Sequence, residues 1–150
     1  MGAYTAIVVG TDGSETSFRA VDRAAGLARD AGATLVIVCA FEPATEREVA
    51  KAQDALGSDA GYQVVGSAPA EDTVGRARDR AHAAGATDVV SEVAQGRPSD
   101  VLLGATKEHS ADLLVIGNRG LNTLAGRIIG SVPLDVARHA AIDVLIVHTT

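Results

Sequence analysis

Residues 113–133 read LLVIGNRGLNTLAGRIIGSVP. A short apolar run, Leu113 to Gly117, opens into a stretch with glycines at 117, 120 and 130. Ser131 and Pro133 then mark the start of a helix. An apolar run this short suits a strand buried on both faces, as in a parallel sheet. Four more runs of that kind lie outside it: Tyr4 to Gly10 (YTAIVVG), Leu35 to Ala40 (LVIVCA), Asp88 to Val93 (DVVSEV) and Ile142 to Val147 (IDVLIV). The third is more polar and alternates, which suits an edge strand.

Helical patterns separate these runs. Ser14 can cap a helix reaching about Ala31, with Phe18, Val21, Ala25 and Ala28 on its inner face and Gly32 as a stop. A second spans about Ala70 to Ala84, with Val74, Ala77, Ala81 and Ala84 inward and Gly85 ending it. Pro98 opens a third that reaches about His109, with Val101, Leu102 and Ala105 inward. Ser131 can cap a fourth, with Val136, Ala137 and Ala140 inward. Strands alternating with helices specify a parallel α/β sheet with right-handed crossovers. The stretch Glu42 to Pro69 is the least regular, a long excursion around a polar helical piece from Glu46 to Leu56.

At 150 residues and 15.2 kDa the chain fits one domain, residues 1–150. Its hydrophobic share of 47% and charged share of 21% are ordinary for a globular protein. Aromatics make up only 3%, so the core must be aliphatic, drawing on Val, Ile, Leu and 28 alanines. So few rings argue against single-stranded nucleic-acid binding by stacking. A net charge of −6 removes the basic footprint that nucleic acid requires. Cys39, the one cysteine, leaves no internal disulfide and no cysteine zinc set. No apolar run approaches a membrane span, and no secretory pattern opens the chain, so a soluble cytoplasmic protein is expected.

Two clusters can carry chemistry. One is the spacing Gly117-x2-Gly120-x9-Gly130-Ser131, and the other is Gly10-Thr11-Asp12-Gly13-Ser14 after the first strand. In open α/β sheets, ligands bind beyond the carboxyl ends of the strands, where strand order reverses. Glycines let the backbone approach a ligand closely. The N–H groups and partial positive charge at a helix start suit a phosphate. Asp12 can accept hydrogen bonds from a ribose or help hold a metal beside phosphates. Each segment also has a plainer reading, as a strand-to-helix turn or an Asx-turn with a capped helix. Both clusters lie at strand carboxyl ends, so they should face one crevice, and that convergence favours the functional reading. Arg119 and Arg127 can neutralise phosphates. Cys39 reads as buried filler, and the four histidines show no ligand spacing or partner. The P-loop, dinucleotide, nucleophile-elbow and zinc-protease patterns are absent.

The opening VVGTDGSETSFRAVDRA resembles that of the universal stress proteins. The glycine spacing matches the nucleotide motif of their ATP-binding branch, and the ending DVLIVHTT resembles actinobacterial members. The resemblance covers essentially the whole chain. It implies a Rossmann-like five-stranded sheet in the order 3-2-1-4-5. It implies an adenine-nucleotide ligand, ATP (with magnesium) or cyclic AMP. By position, Asp12 would contact the ribose or phosphate side, and Ala40 would lie beside the adenine with its backbone reading the base edge. Gly117, Gly120, Gly130, Ser131 and Val132 would surround ribose and phosphates, while Thr11 and Ile116 line the pocket. The resemblance also implies a homodimer through the last strand, Ile142 to Val147.

Three functions compete on this reading. The first is a nucleotide-binding stress or signalling regulator that passes its state to a protein partner. The second is a slow ATPase or autophosphorylating enzyme. The third is a structural protein with a vacant crevice. Phosphoryl transfer needs positioned charge stabilisation. Asp12 is the one obvious carboxylate on the phosphate side, and neither Lys51 nor Lys107 lies in a glycine motif. The regulator is therefore expected, with the enzyme as alternative.

Overall fold

The computed structural model describes residues 2–42, 67–118 and 131–149. Among them run β1 (Ala6–Gly10), α1 (Glu15–Ala31), β2 (Thr34–Phe41), α2 (Ser67–Ala83) and β3 (Val89–Gln95). There follow α3 (Pro98–Glu108), β4 (Leu113–Gly117), α4 (Ser131–His139) and β5 (Asp143–Val147). The five strands form one parallel sheet in the order β3-β2-β1-β4-β5. The expected fold class is therefore observed, with the polar third strand at an edge.

Successive strand residues point to opposite faces, and the three inner strands β2, β1 and β4 are apolar at almost every position because both of their faces are covered. Ile7, Val9, Leu35, Ile37, Leu113 and Val115 face a core closed by α1 and α2. Val8, Val36, Val38, Leu114 and Ile116 face a second core closed by α3 and α4. Alanines carry much of the helix side: Ala20, Ala24, Ala25 and Ala28 of α1 and Ala77 and Ala81 of α2 are buried. Small side chains let those helices lie close to the sheet, and Phe18 of α1 is the one buried aromatic among the described residues.

Local chemistry sets the helix ends. The Ser14 hydroxyl accepts from the Ser17 N–H at 3.2 Å, capping α1. At the other end Gly32 is left-handed (φ 66°), and the Ala33 N–H donates to the Ala28 carbonyl at 2.9 Å, a Schellman closure. Pro98 occupies the first position of α3, where its missing N–H costs nothing. Asp112 ties the bottom of β1 to β4 by accepting from the Thr5 and Ala6 N–H groups at 3.0 and 3.1 Å.

Several boundaries differ from the sequence expectation. Helix α2 begins at Ser67, so Pro69 falls inside its first turn and does not close the preceding loop. A first turn leaves N–H groups unbonded, so proline is tolerated there. Ser131 is the first residue of α4, where a capping position ahead of the helix was expected. The buried face of α4 is Val132, Pro133 and Val136, and Ala137 is exposed. Ala140 lies past the helix, so the face turns toward Val132 and away from Ala137. The helical piece expected over residues 46–56 lies outside the described residues. Among the described residues, no helix is long and apolar enough to cross a membrane.

Candidate functional site

The chain leaves β1 into α1 on one face of the sheet and leaves β4 into α4 on the other. A crevice opens at the carboxyl ends of β1, β2 and β4. Six of the residues singled out from sequence line it together: Thr11, Asp12, Ala40, Ile116, Gly117 and Val132. Ser131, next to Val132, is exposed and lines a separate surface groove. Gly120, Arg127 and Gly130, with Arg119, lie outside the described residues.

The β1 loop is built from its own polar side chains. The Asp12 Oδ1 accepts from the Ser14 N–H at 2.9 Å and from the Ser14 hydroxyl at 2.6 Å, so the Asx-turn reading holds. Asp12 is nonetheless exposed at the crevice, with Oδ2 outside that turn. Gly13 has φ 87°, and a Cβ there would lie 2.8 Å from the Thr73 Oγ1, so only glycine fits the turn without displacement. Buried Thr11 shares a 2.7 Å hydrogen bond with the Ser17 hydroxyl and accepts from the Gly13 N–H at 3.2 Å.

Ala40 has a particular backbone setting. The pairing of β1 with β2 ends at Gly10 opposite Val38, and the Thr11 N–H donates to the Val38 carbonyl at 3.0 Å. Residues two apart in a strand present their N–H and C=O to the same side. Ala40 thus directs a donor and an acceptor toward the β1 side, beyond the point where β1 has turned away. The strand is held there by β3, which pairs with β2 as far as Phe41 opposite Gln95.

The floor is apolar: Val38, Leu102, Ile116 and Val132 are all nearly inaccessible. Asp12 is the one charged residue among the described residues lining the crevice. Behind β2, burial pushes the Cys39 thiol up to about 11, and the charge of Asp12 adds to it. Cys39 is therefore a core residue with a protonated thiol at neutral pH.

Sequence reasoning missed Leu102 and Pro98 of α3, Ser17 of α1 and, furthest from any motif, Thr149. Leu102 carried a signal, because it falls on the inward face of α3. Thr149 carried none. The histidines do have partners: His109 Nε2 lies 3.1 Å from the Glu92 carboxylate, and His82 Nδ1 lies 3.0 Å from the Ala86 carbonyl. Glu92, Glu108 and His109 bring their ligating atoms within 4.8 Å of one another at the β3 edge, a grouping hidden by distance along the chain.

Fold and crevice together define a doubly wound α/β protein with a crevice at its topological switch point. Residues 3–148 match the Universal stress protein family, and the chain belongs to that family. It is 51% identical over 150 residues to the universal stress protein Rv1636 of Mycobacterium tuberculosis, covering the whole of both chains. A crystal structure of a universal stress protein in complex with cAMP is 44% identical, with TM-score 0.75 over 99% of this chain and 100% of that one. UspA from Lactobacillus plantarum, 24% identical, shares the fold with TM-score 0.77 over 98% of this chain and 99% of that one.

Proposed function

We propose that this chain is a regulatory protein that binds an adenine nucleotide in the crevice between the β1 and β4 loops, with cyclic AMP as its ligand. The observation that carries the reading is the 44%-identical universal stress protein crystallised in complex with cAMP. The chemistry of the crevice supports it. The Ala40 N–H and C=O suit the edge of an adenine, and the apolar floor suits its faces. Asp12 can accept from the ribose hydroxyl. By their places in the glycine motif, Gly117, Gly120, Gly130, Ser131 and Val132 would surround the sugar and phosphate and Arg127 would neutralise charge, with Thr11 and Ile116 at the sides of the crevice.

Charge favours the cyclic nucleotide over ATP. A cyclic phosphate carries one negative charge and a triphosphate about four. Asp12 lines the crevice with a negative charge of its own, which opposes the triphosphate more than the cyclic phosphate. Calorimetric titration of nucleotide-stripped protein with cyclic AMP and with ATP, each with and without magnesium, tests this. The expected result is tighter binding of cyclic AMP, indifferent to magnesium. Tighter, magnesium-dependent binding of ATP would refute the assignment and bring hydrolysis into question. We also propose a homodimer through β5, an edge strand whose Val144, Leu145 and Ile146 are only half-buried. A monomer by light scattering at micromolar concentration would count against it.

A further inference from the structure

Thr149 lies beyond β5, yet it is 2% exposed. Three hydrogen bonds hold it from two directions. Its backbone N–H donates to the Asn118 Oδ1 at 2.9 Å, and its hydroxyl donates to the same oxygen at 3.0 Å. Its carbonyl accepts from the Arg19 guanidinium at 2.7 Å. A carbonyl oxygen has two lone pairs, so Asn118 gives its full accepting capacity to one residue. Asn118 is itself buried directly after β4, and its own N–H donates to the Val147 carbonyl at 2.8 Å. Arg19 comes from α1, across the chain, and is exposed apart from this contact.

The residue so held is part of the crevice wall. Thr149 lines the crevice, and its Cγ2 lies 3.2 Å from where a Cβ on Gly117 would stand. It thus fills the space left by the first glycine of the loop motif. Thr149 after β5, Asn118 at the end of β4 and Arg19 of α1 meet at one wall of the site.

We propose that Asn118 and Arg19 latch Thr149 as a wall of the nucleotide crevice, so that ligand binding and closure of the chain after β5 are coupled. This rests on the nucleotide reading of the crevice given above. Asn118 and Arg19 act as positioning residues, because they reach the site through Thr149. Coupling free energies are reciprocal. The factor by which an open latch weakens the ligand therefore equals the factor by which saturating ligand resists opening.

The test combines calorimetry with cyclic AMP, residue-resolved hydrogen exchange at the Thr149 amide, and thermal melting on the full chain. Asn118→Ala removes both bonds to Thr149, along with the 3.5 Å contact of the carboxamide nitrogen with His148 Nδ1, and should weaken cyclic AMP by about tenfold, within the usual span of allosteric coupling. In the wild type, saturating cyclic AMP should slow exchange at the Thr149 amide by a matching factor. Arg19→Ala should give a smaller loss and Arg19→Lys should restore most of it, since the lysine keeps a donor. The Arg19 variants change an exposed side chain, so they decide the matter even where Asn118→Ala fails to fold. Wild-type affinity in a folded Arg19→Ala, or Thr149 exchange indifferent to bound cyclic AMP, overturns the latch and leaves the nucleotide reading standing. A wild-type protein that binds neither cyclic AMP nor ATP overturns both.

Discussion

Replacing Gly10 by alanine should destabilise the protein through one identifiable collision. Gly10 ends β1, opposite Val38 of β2. A Cβ built there lies 2.9 Å from Leu102 Cδ2 and 3.0 Å from Cδ1. Favourable contacts between carbons begin near 3.5–4.0 Å, so the leucine must retreat by roughly 0.5–1 Å. Both methyls lie within 3.0 Å of the new atom, so both must shift. Leu102 is 4% exposed and packs with Val8, Val38, Ile116 and Val136, so its retreat presses on a filled core. Overpacking of this kind costs about 1–3 kcal/mol. Restricting the unfolded chain offsets about 0.4–1 kcal/mol of that. The net loss should be about 1–2 kcal/mol, or roughly 2–8 °C in Tm at this chain length.

A double-mutant cycle isolates the cause. Leu102→Ala alone should cost about 2–5 kcal/mol, because it leaves a cavity in the core. In that background the alanine at position 10 meets empty space, so its own penalty should vanish. The coupling energy read from urea unfolding should be about 1–2 kcal/mol. A Gly10→Ala penalty of equal size with and without Leu102 would refute the packing argument and place the cost in the backbone.

Three further outcomes follow from the polar surface and the core thiol. Burial alone would raise the Asp112 carboxyl, but the N–H groups of Thr5 and Ala6 and the Thr5 hydroxyl outweigh it and hold it below the ordinary carboxylate value. Its contribution to stability is therefore present above about pH 4 and lost as pH falls through the depressed value. Asp112→Asn should cost about 1 kcal/mol at pH 7 by urea unfolding, and the difference should shrink as the medium is made acid; a gap that does not change with falling pH would contradict it. Arg80 grips Asp22 through two nitrogens at 3.1 and 2.5 Å, reaches Glu15 at 3.1 Å, and lies 5.2 Å from the Phe18 ring centroid. Arg80→Lys should lose less than about 1 kcal/mol, and the loss should shrink in 1 M salt; no salt dependence would remove the ionic explanation. With its thiol pushed up to about 11, native Cys39 should resist thiol reagents at pH 8 until denaturant is added. Labelling at the rate of a free thiol would show that it is not buried.

The strands were legible because a sheet covered on both faces imposes a simple requirement, apolar residues without a polar alternate. LVIVC at 35–39 and LLVI at 113–116 meet it with no competing pattern. The helix ends were legible where a single side chain or glycine does the work, as at Ser14, Gly32 and Pro98. The exact face of α4 was not. Alanine at 137 is compatible with either side of a helix, and the burial of Val132 was settled by packing against the opposite core. The start of α2 was obscured because proline reads as a breaker unless its distance from the helix end is already known. Thr149 was invisible for a deeper reason: its role comes from Asn118 and Arg19, which are 31 and 130 positions away.

The polar feature of the crevice that no side chain advertises is the Ala40 backbone, and its availability follows from strand lengths. β1 and β4 each have five residues, whereas β2 has eight and β3 seven. Pairing of β1 with β2 starts at Ala6 opposite Thr34, so β1 runs out at Val38. β2 continues to Phe41 because β3 accompanies it on the other side. In a strand paired on both sides, the Ala40 N–H and C=O would be consumed by the ladder. In a strand with neither neighbour, nothing would hold them in place. A strand that outlasts one neighbour but not the other presents a fixed donor and acceptor at the mouth of a crevice, as reading the edge of a planar base requires. The requirement falls on the position and not on the side chain, so a small residue such as alanine is sufficient there. The sequence feature that produces it is the early break at Gly10-Thr11-Asp12-Gly13 in β1, set against the longer apolar run of β2.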